Sequence, residues 1–380
     1  MNIIHLTTDE KFIDGALFLF NKAFPNQNQL LVLKPPANPA IRYIKQSRID
    51  FEIVKNKSTL ETIKKHTSNA DWVVIHGLNE VWANYIIKNT SKKILYVVWG
   101  AEVYGNPLLY DQPLLGHHTI QLDEKLERKP LIQKIKDVIN SYRFGLPKTN
   151  QKQQWLKNKK ALHKIDNISI IYKDEVDFYK KNNIIPSNTN FIKFGYYPIE
   201  YFANGIDEDV KLGNRIMIGN SSSLTNNHLE VFKKLASLGV KNEIVVPLSY
   251  GDKRLAKILV KEGQKMFGKQ FKPITDFMPL EQYTKLMQSC GIVIMNHYRQ
   301  QAVGNIITAM YLGAKVFLDE RNTIYHYLKR IGCFVYSIEE LKSLDSLKNL
   351  EPYQITQNKE ILLKDISSDK LVNELKTKLW

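Results

Sequence analysis

The residues able to do chemistry sit where apolar runs give way to polar loops. Residues 298–318 read YRQQAVGNIITAMYLGAKVFL and follow the apolar run 291–295. That run has the composition of a strand buried on both faces. A polar loop comes next, then a helix ending at Gly313 and a second strand starting at Lys315. Arg299, Gln300, Gln301, Gly304 and Asn305 fall in the loop and the first helical turn. Free N–H groups at a helix start, a flexible glycine and an arginine suit a phosphate. An ordinary piece of α/β scaffold with a loop glycine and a solvated arginine reads the same way.

Three further strand-to-helix switches carry polar residues, and such switches are where open α/β sheets bind small molecules. Gly219, Asn220, Ser221 and Ser222 follow the run 215–218. Gly219 lets backbone approach a ligand, and the other three offer donors to phosphate or sugar oxygens; the serines also fit a plain helix cap. Tyr250 follows the run 242–246, where its ring can meet a phosphate or another ring. Glu102 stands just past the run 93–99 and His76 at the end of 71–75. A carboxylate or imidazole there could act as general base, and both are expected on one cleft wall. Each also fits a satisfied structural residue.

The elements that must position these residues alternate throughout. Strands are expected at 2–6, 30–33, 51–54, 71–75, 93–99, 168–172 and 191–193, with helices at 11–24, 58–66, 80–88 and 174–182 between them. The second half repeats the pattern: strands at 215–218, 242–246, 271–275, 291–295 and 315–318, with helices at 228–238, 253–267 and 279–289. This is the pattern of doubly wound parallel sheets, an α/β class fold. The 380 residues fit two domains. They are expected at 1–197 and 198–352, hinged near residues 195–198, with helices of 353–380 crossing back onto the first.

Hydrophobic residues make up 43% of the chain, enough to bury a core and to argue against long disorder. Cys290 and Cys333 are the only cysteines, so neither a disulfide framework nor a cysteine metal site is expected. The start, MNIIHLTTDEKF, lacks the basic head and apolar core of a secretion signal, and no run reaches the roughly 18 apolar residues of a membrane span. The cytoplasm is the expected compartment. Net charge is +16, and residues 121–164 hold twelve Lys or Arg against four acids. Leu131, Ile132, Ile135, Val138, Ile139, Tyr142, Phe144 and Trp155 are interleaved among them. Two amphipathic basic helices broken near residues 145–147 would lie on an anionic membrane surface. A polyanion-binding protein without catalysis is the rival that charge alone suggests, but no nucleic-acid motif is present and no nucleic-acid partner is expected.

The blocks His76-Gly77, residues 98–104 (VWGAEVY), Ile218-Gly219-Asn220-Ser221 with Asn227-His228, Val245-Val246-Pro247 with Tyr250, and Arg299-Gln300-Gln301 with Gly304 occur in one order. In that combination the chain resembles the bacterial 4-acetamido-4,6-dideoxygalactose (Fuc4NAc) transferases of the enterobacterial common antigen type, glycosyltransferase family 56. The resemblance covers roughly residues 70–340. It implies a GT-B glycosyltransferase, two Rossmann-like domains facing a cleft, with a dTDP-sugar donor and a polyprenyl-diphosphate-linked glycan acceptor. It also implies peripheral residence at the cytoplasmic face of the inner membrane. The donor site would take Gly219, Asn220, Ser221, Ser222, Tyr250, Arg299, Gln300, Gln301, Gly304 and Asn305, and Glu102 and His76 would stand on the reacting side. Many GT-B enzymes pair two glutamates around this helix, where this chain has Gln300 or Gln301 and Thr308. The departure puts ribose recognition by a carboxylate in doubt. No Asp-x-Asp motif ends a strand, so no cofactor or metal is expected, and N–H groups with Arg299 would carry the leaving charge. If the anomeric centre inverts, Glu102 is the first choice of base and His76 the second. A UDP- or GDP-sugar is the alternative donor.

Overall fold

A computed structural model of the chain describes residues 1–89, 91–127, 149–203 and 212–380. Apolar runs without polar alternation become strands covered on both faces, and such strands pair in parallel. Seven of them, β1 (Ile3–Thr7), β2 (Asn28–Lys34), β3 (Phe51–Val54), β4 (Trp72–His76), β5 (Lys93–Val97), β6 (Asn167–Ile170) and β7 (Asn190–Lys193), form one sheet. Its order is β3-β2-β1-β4-β5-β6-β7, all pairs parallel. A second parallel sheet comprises β8 (Arg215–Ile218), β9 (Ile244–Pro247), β10 (Phe271–Ile274), β11 (Cys290–Met295), β12 (Lys315–Leu318) and β13 (Tyr336–Ser337). Its order is β10-β9-β8-β11-β12-β13. In each sheet the order reverses direction once, between β1 and β4 and between β8 and β11. Those two gaps are the topological switch points, where ligands collect outside the strand ends.

The chain divides into two compact units, Met1–Asp111 with Pro147–Pro198 and Ile366–Trp380, and Gln112–Leu146 with Ile199–Asp365. The expected first domain ran unbroken through 1–197, but the helix His117–Glu127 belongs to the second unit. Glu230 accepts hydrogen bonds from Thr119 N (2.9 Å) and Thr119 Oγ1 (2.6 Å), and Leu122 joins the core of Phe232, Leu235, Ile244 and Phe271. The next described helix, Thr149–Leu162, packs in the first unit, where Lys157 meets Glu80 at 2.8 Å and Asn106 Nδ2 donates to Trp155 O. Most of the apolar positions expected on a membrane face, residues 131–144, lie outside the described residues. Among the described residues no helix is long and apolar enough to cross a membrane.

Two α-helices end the described chain after β13, Pro352–Ile366 and Ser368–Leu379. The second lies in the first unit, with Leu371, Leu375 and Leu379 buried, Lys22 Nζ bonded to Ser368 Oγ and Trp72 Nε1 donating to Leu379 O at 3.0 Å. Cys290 and Cys333 are buried thiols, and burial pushes their pKa values up to about 11 and about 12.

Candidate functional site

In the second unit the chain leaves β8 through Gly219, whose φ of +67° only glycine adopts easily. A Cβ there would stand 2.6 Å from both Asn226 Oδ1 and His228 Nε2. Asn226 organises the loop. Its Oδ1 accepts from Asn220 N (2.9 Å) and His297 Nε2 (3.0 Å), and its Nδ2 donates to Ser221 Oγ (3.2 Å) and Ser223 O (3.3 Å). His297 therefore carries its proton on Nε2 and points a bare Nδ1 lone pair elsewhere. Burial, then Arg299 and His228, hold its pKa well below the usual value, so the ring is neutral.

The polar residues expected at a donor site are gathered on this strand-end rim. Ser222 N and Oγ both donate to Tyr250 O, at 2.7 and 2.9 Å, tying the β8 loop to the β9 loop. Thr225 Oγ1 donates to Gln301 Oε1 (2.8 Å), tying it to the β11 loop. Arg299 Nη1 bonds the carbonyl of Gln300 (2.8 Å). Gly304 and Asn305 lie half-buried in the first turn of the helix Val303–Tyr311, whose cap residue Ala302 has φ of 57° and no side-chain cap. The opening N–H groups of that helix thus lack a side-chain acceptor from their cap. Asn220 Oδ1, His228 Nε2, His297 Nδ1 and Gln300 Oε1 are buried with no hydrogen-bond partner. Each such group costs about 1–3 kcal/mol. Their concentration at the β8/β11 switch marks a place that a polar ligand would complete. Thr308, near where the resemblance would put a ribose-binding carboxylate, is buried, with Oγ1 likewise unpaired.

His76 and Glu102 both lie in the first unit and are held differently. Asn28 Nδ2 is occupied by Asn21 Oδ1 and Phe24 O, so its Oδ1 faces His5 Nε2 at 3.2 Å as acceptor. His5 Nδ1 then accepts from His76 Nε2 (3.0 Å), and His76 Nδ1 accepts from the Tyr196 hydroxyl (3.3 Å), which takes the Trp99 Nε1 proton (2.5 Å). One proton order satisfies the whole chain with both imidazoles neutral. Burial lowers the His5 pKa to about 4 and, with His5 beside it, holds that of His76 well below normal. His76 is 1% exposed and both ring nitrogens are engaged, so it has no lone pair for a substrate proton. The choice of His76 as second candidate base does not fit this geometry; it positions Tyr196 and Trp99. The Trp99 ring lies against Gly77, where a Cβ would meet it at 2.4 Å.

Glu102 is half-buried in the short helix Ala101–Tyr104, and its Oε1 accepts from Tyr96 OH and from Trp99 N at 2.9 Å. Those two donors aim the carboxyl from the end of β5. Glu10 lies three residues past the end of β1. Burial, then the neighbouring Asp9 charge, raises its pKa against the pull of Lys11. The adjacent acids directly after an apolar run were the available signal.

The first unit holds a largely apolar cavity of about 480 Å³ over the ends of β1 to β4, lined by Asp9, Leu33, Ile41, Tyr43, Lys55 and Asn79 among others. A second cavity of about 160 Å³ lies in the second unit between Glu230, Asn296, Tyr298 and Arg321. There Arg321 bonds Asp319 at 2.7 Å and covers the Tyr298 ring at 3.3 Å. Among the described residues no three His, Cys, Asp or Glu converge on a possible metal position.

Residues 145–356, more than half of the chain, match the family described as 4-alpha-L-fucosyltransferase, glycosyl transferase group 56. The chain belongs to this family. The group 56 chain is similar in fold to HepE of Anabaena solved in complex with UDP (11% identity, TM-score 0.68, 100% of this chain and 99% of that one). It is also similar to sucrose-phosphate synthase of Thermosynechococcus elongatus (9%, TM-score 0.63, 99% and 98%) and to a glycosyltransferase of Rickettsia africae (11%, TM-score 0.61, 100% and 98%). The fold is GT-B, and the group 56 chain is a glycosyltransferase. Family membership overturns the reading of a non-catalytic polyanion-binding protein.

Proposed function

We propose that this group 56 transferase moves a 4-acetamido-4,6-dideoxyhexose of the Fuc4NAc kind from a dTDP-sugar to a polyprenyl-diphosphate-linked glycan, without a metal. The observation that carries the donor reading is the cluster of unpaired buried polar atoms at the β8/β11 switch, bordered by Arg299 and the uncapped helix start at Gly304 and Asn305. As the glycosidic bond breaks, charge develops on the diphosphate, and N–H groups with Arg299 stabilise it. The family's description as a fucosyltransferase agrees at the level of a 6-deoxyhexose. The acceptor belongs to the first unit, where Glu102 is the base if configuration inverts. The basic segment 121–164 supports peripheral attachment to the anionic cytoplasmic face of the inner membrane.

A UDP-sugar is the second reading, favoured by HepE having been solved with UDP and with UDP-glucose. A thermal-shift panel of dTDP, UDP, GDP and ADP separates the two. A ligand at a hundred times its Kd adds about 2.7 kcal/mol of stability. Stabilisation by dTDP alone supports the first reading, and by UDP alone the second. No response to any of the four removes the donor site from this rim.

A further inference from the structure

Two aromatic rings stand on the C-terminal edge of the second sheet without being buried by the fold. Phe277 is 88% exposed and Tyr250 71%. Leaving a phenylalanine in water forgoes roughly 1.5–3 kcal/mol of burial. The sheet register brings the two loops together. β9 and β10 pair in parallel with Pro247 opposite Ile274, and Leu248 N donates to Ile274 O at 2.7 Å. Tyr250 and Phe277 each follow their paired residue by three positions, in loops that leave adjacent strands at the same edge of the sheet.

The Tyr250 loop is fastened to the loop that leaves β8. Besides the two bonds from Ser222 to Tyr250 O, Asp252 N donates to Ser222 O at 2.9 Å, and Ser222 and Gly251 form a parallel bridge. The rings and the unpaired polar cluster therefore share one rim. Neighbouring strands lie about 4.8 Å apart, so in the order β10-β9-β8-β11 the β9/β10 gap is about 10 Å from the β8/β11 gap. That separation matches the reach from a diphosphate across a ribose to its base.

We propose that Tyr250 and Phe277 hold the donor's nucleobase by stacking, as the far end of a site whose near end is the β8/β11 switch. The inference rests on the donor reading above and deepens it. Any base has a π-face, so the rings set affinity for a nucleoside and leave the choice between thymine and uracil to other contacts.

Calorimetry with whichever of dTDP and UDP the wild-type protein binds more tightly, and separately with inorganic pyrophosphate, tests the proposal. Phe277→Ala should weaken nucleotide binding roughly ten- to a hundredfold, the range that loss of one base–aromatic stack gives. Pyrophosphate binding should not change, and Phe277→Trp should keep nucleotide affinity. Because Phe277 packs against almost nothing, the alanine variant should melt with the wild type. Equal nucleotide affinity in Phe277→Ala, or equal loss of nucleotide and pyrophosphate, overturns the stacking role while leaving the donor site standing. A wild-type protein that binds pyrophosphate but neither nucleotide overturns both.

Discussion

Glu102 and His76, at the ends of neighbouring strands, are held in different ways. His76 spends both nitrogens inside a buried proton chain, while Glu102 is half-buried with its Oε1 accepting from Tyr96 and Trp99. If Glu102 is the base, Glu102→Gln should leave donor-nucleotide affinity unchanged and lower turnover at least about a hundredfold, the lower end of what a general base supplies. Wild-type turnover in that variant, measured with saturating donor, would exclude the role. At this scale the strand-end and helix-start positions of Gly219, Asn220, Ser221, Ser222, Tyr250, Arg299, Gln300, Gln301, Gly304 and Asn305 were legible, because apolar runs that stop announce themselves by composition. The sequence was not legible for Asn226, which orients His297 across a sequence separation of 71 residues. Nor was the satisfaction of His76, which depends on Asn28 two links away.

At the scale of elements, the strand between β12 and the final helices shows what periodicity misses. β13 is two residues long, Tyr336–Ser337, too short for any apolar run to mark it, and it exists through pairing with Phe317 and Leu318. The longer strands were readable because their apolar runs are unbroken. The loop over the first-unit cavity is another product of distant contacts. Asp9 accepts from the N–H groups of residues 42, 43 and 44, and Asp14 from those of 45, 46 and 47. Burial pushes the Asp14 carboxyl up, but these donors outweigh it and hold its pKa below the usual value. A depressed carboxyl pKa gives stability that is present above about 4 and lost as pH falls through the folded value. Asp14→Ala should make protease cleavage within 45–47 several-fold faster at pH 7, and acidification should accelerate it less than in the wild type. Cleavage at the wild-type rate would show that the loop is held by something else.

For the whole molecule, four buried neutral histidines set an acid limit. His5 is lowered to about 4, His228 to about 3, and His76 and His297 lie well below 6.5, in every case chiefly by burial. In the unfolded chain each protonates near 6.5. Between about 4 and 6.5 the unfolded state binds more protons, so stability rises with pH across that window. Urea midpoints should be clearly lower at pH 5 than at pH 7.5, above the range where most carboxylates titrate; identical midpoints would contradict neutral burial. The first unit also depends on its most distant segment in sequence. Leu375, fully buried in the helix Ser368–Leu379, should cost about 2–5 kcal/mol on truncation to alanine, read from chemical denaturation.

That helix reaches the first unit only after β8 to β13 have all been translated. Domains generally fold as units in the order in which the ribosome delivers them. Here the second unit is complete in chain order before the first, whose Trp72 indole waits for the carbonyl of Leu379. The N-terminal unit is the one that closes last, so the nascent chain emerges with its oldest domain still unsealed.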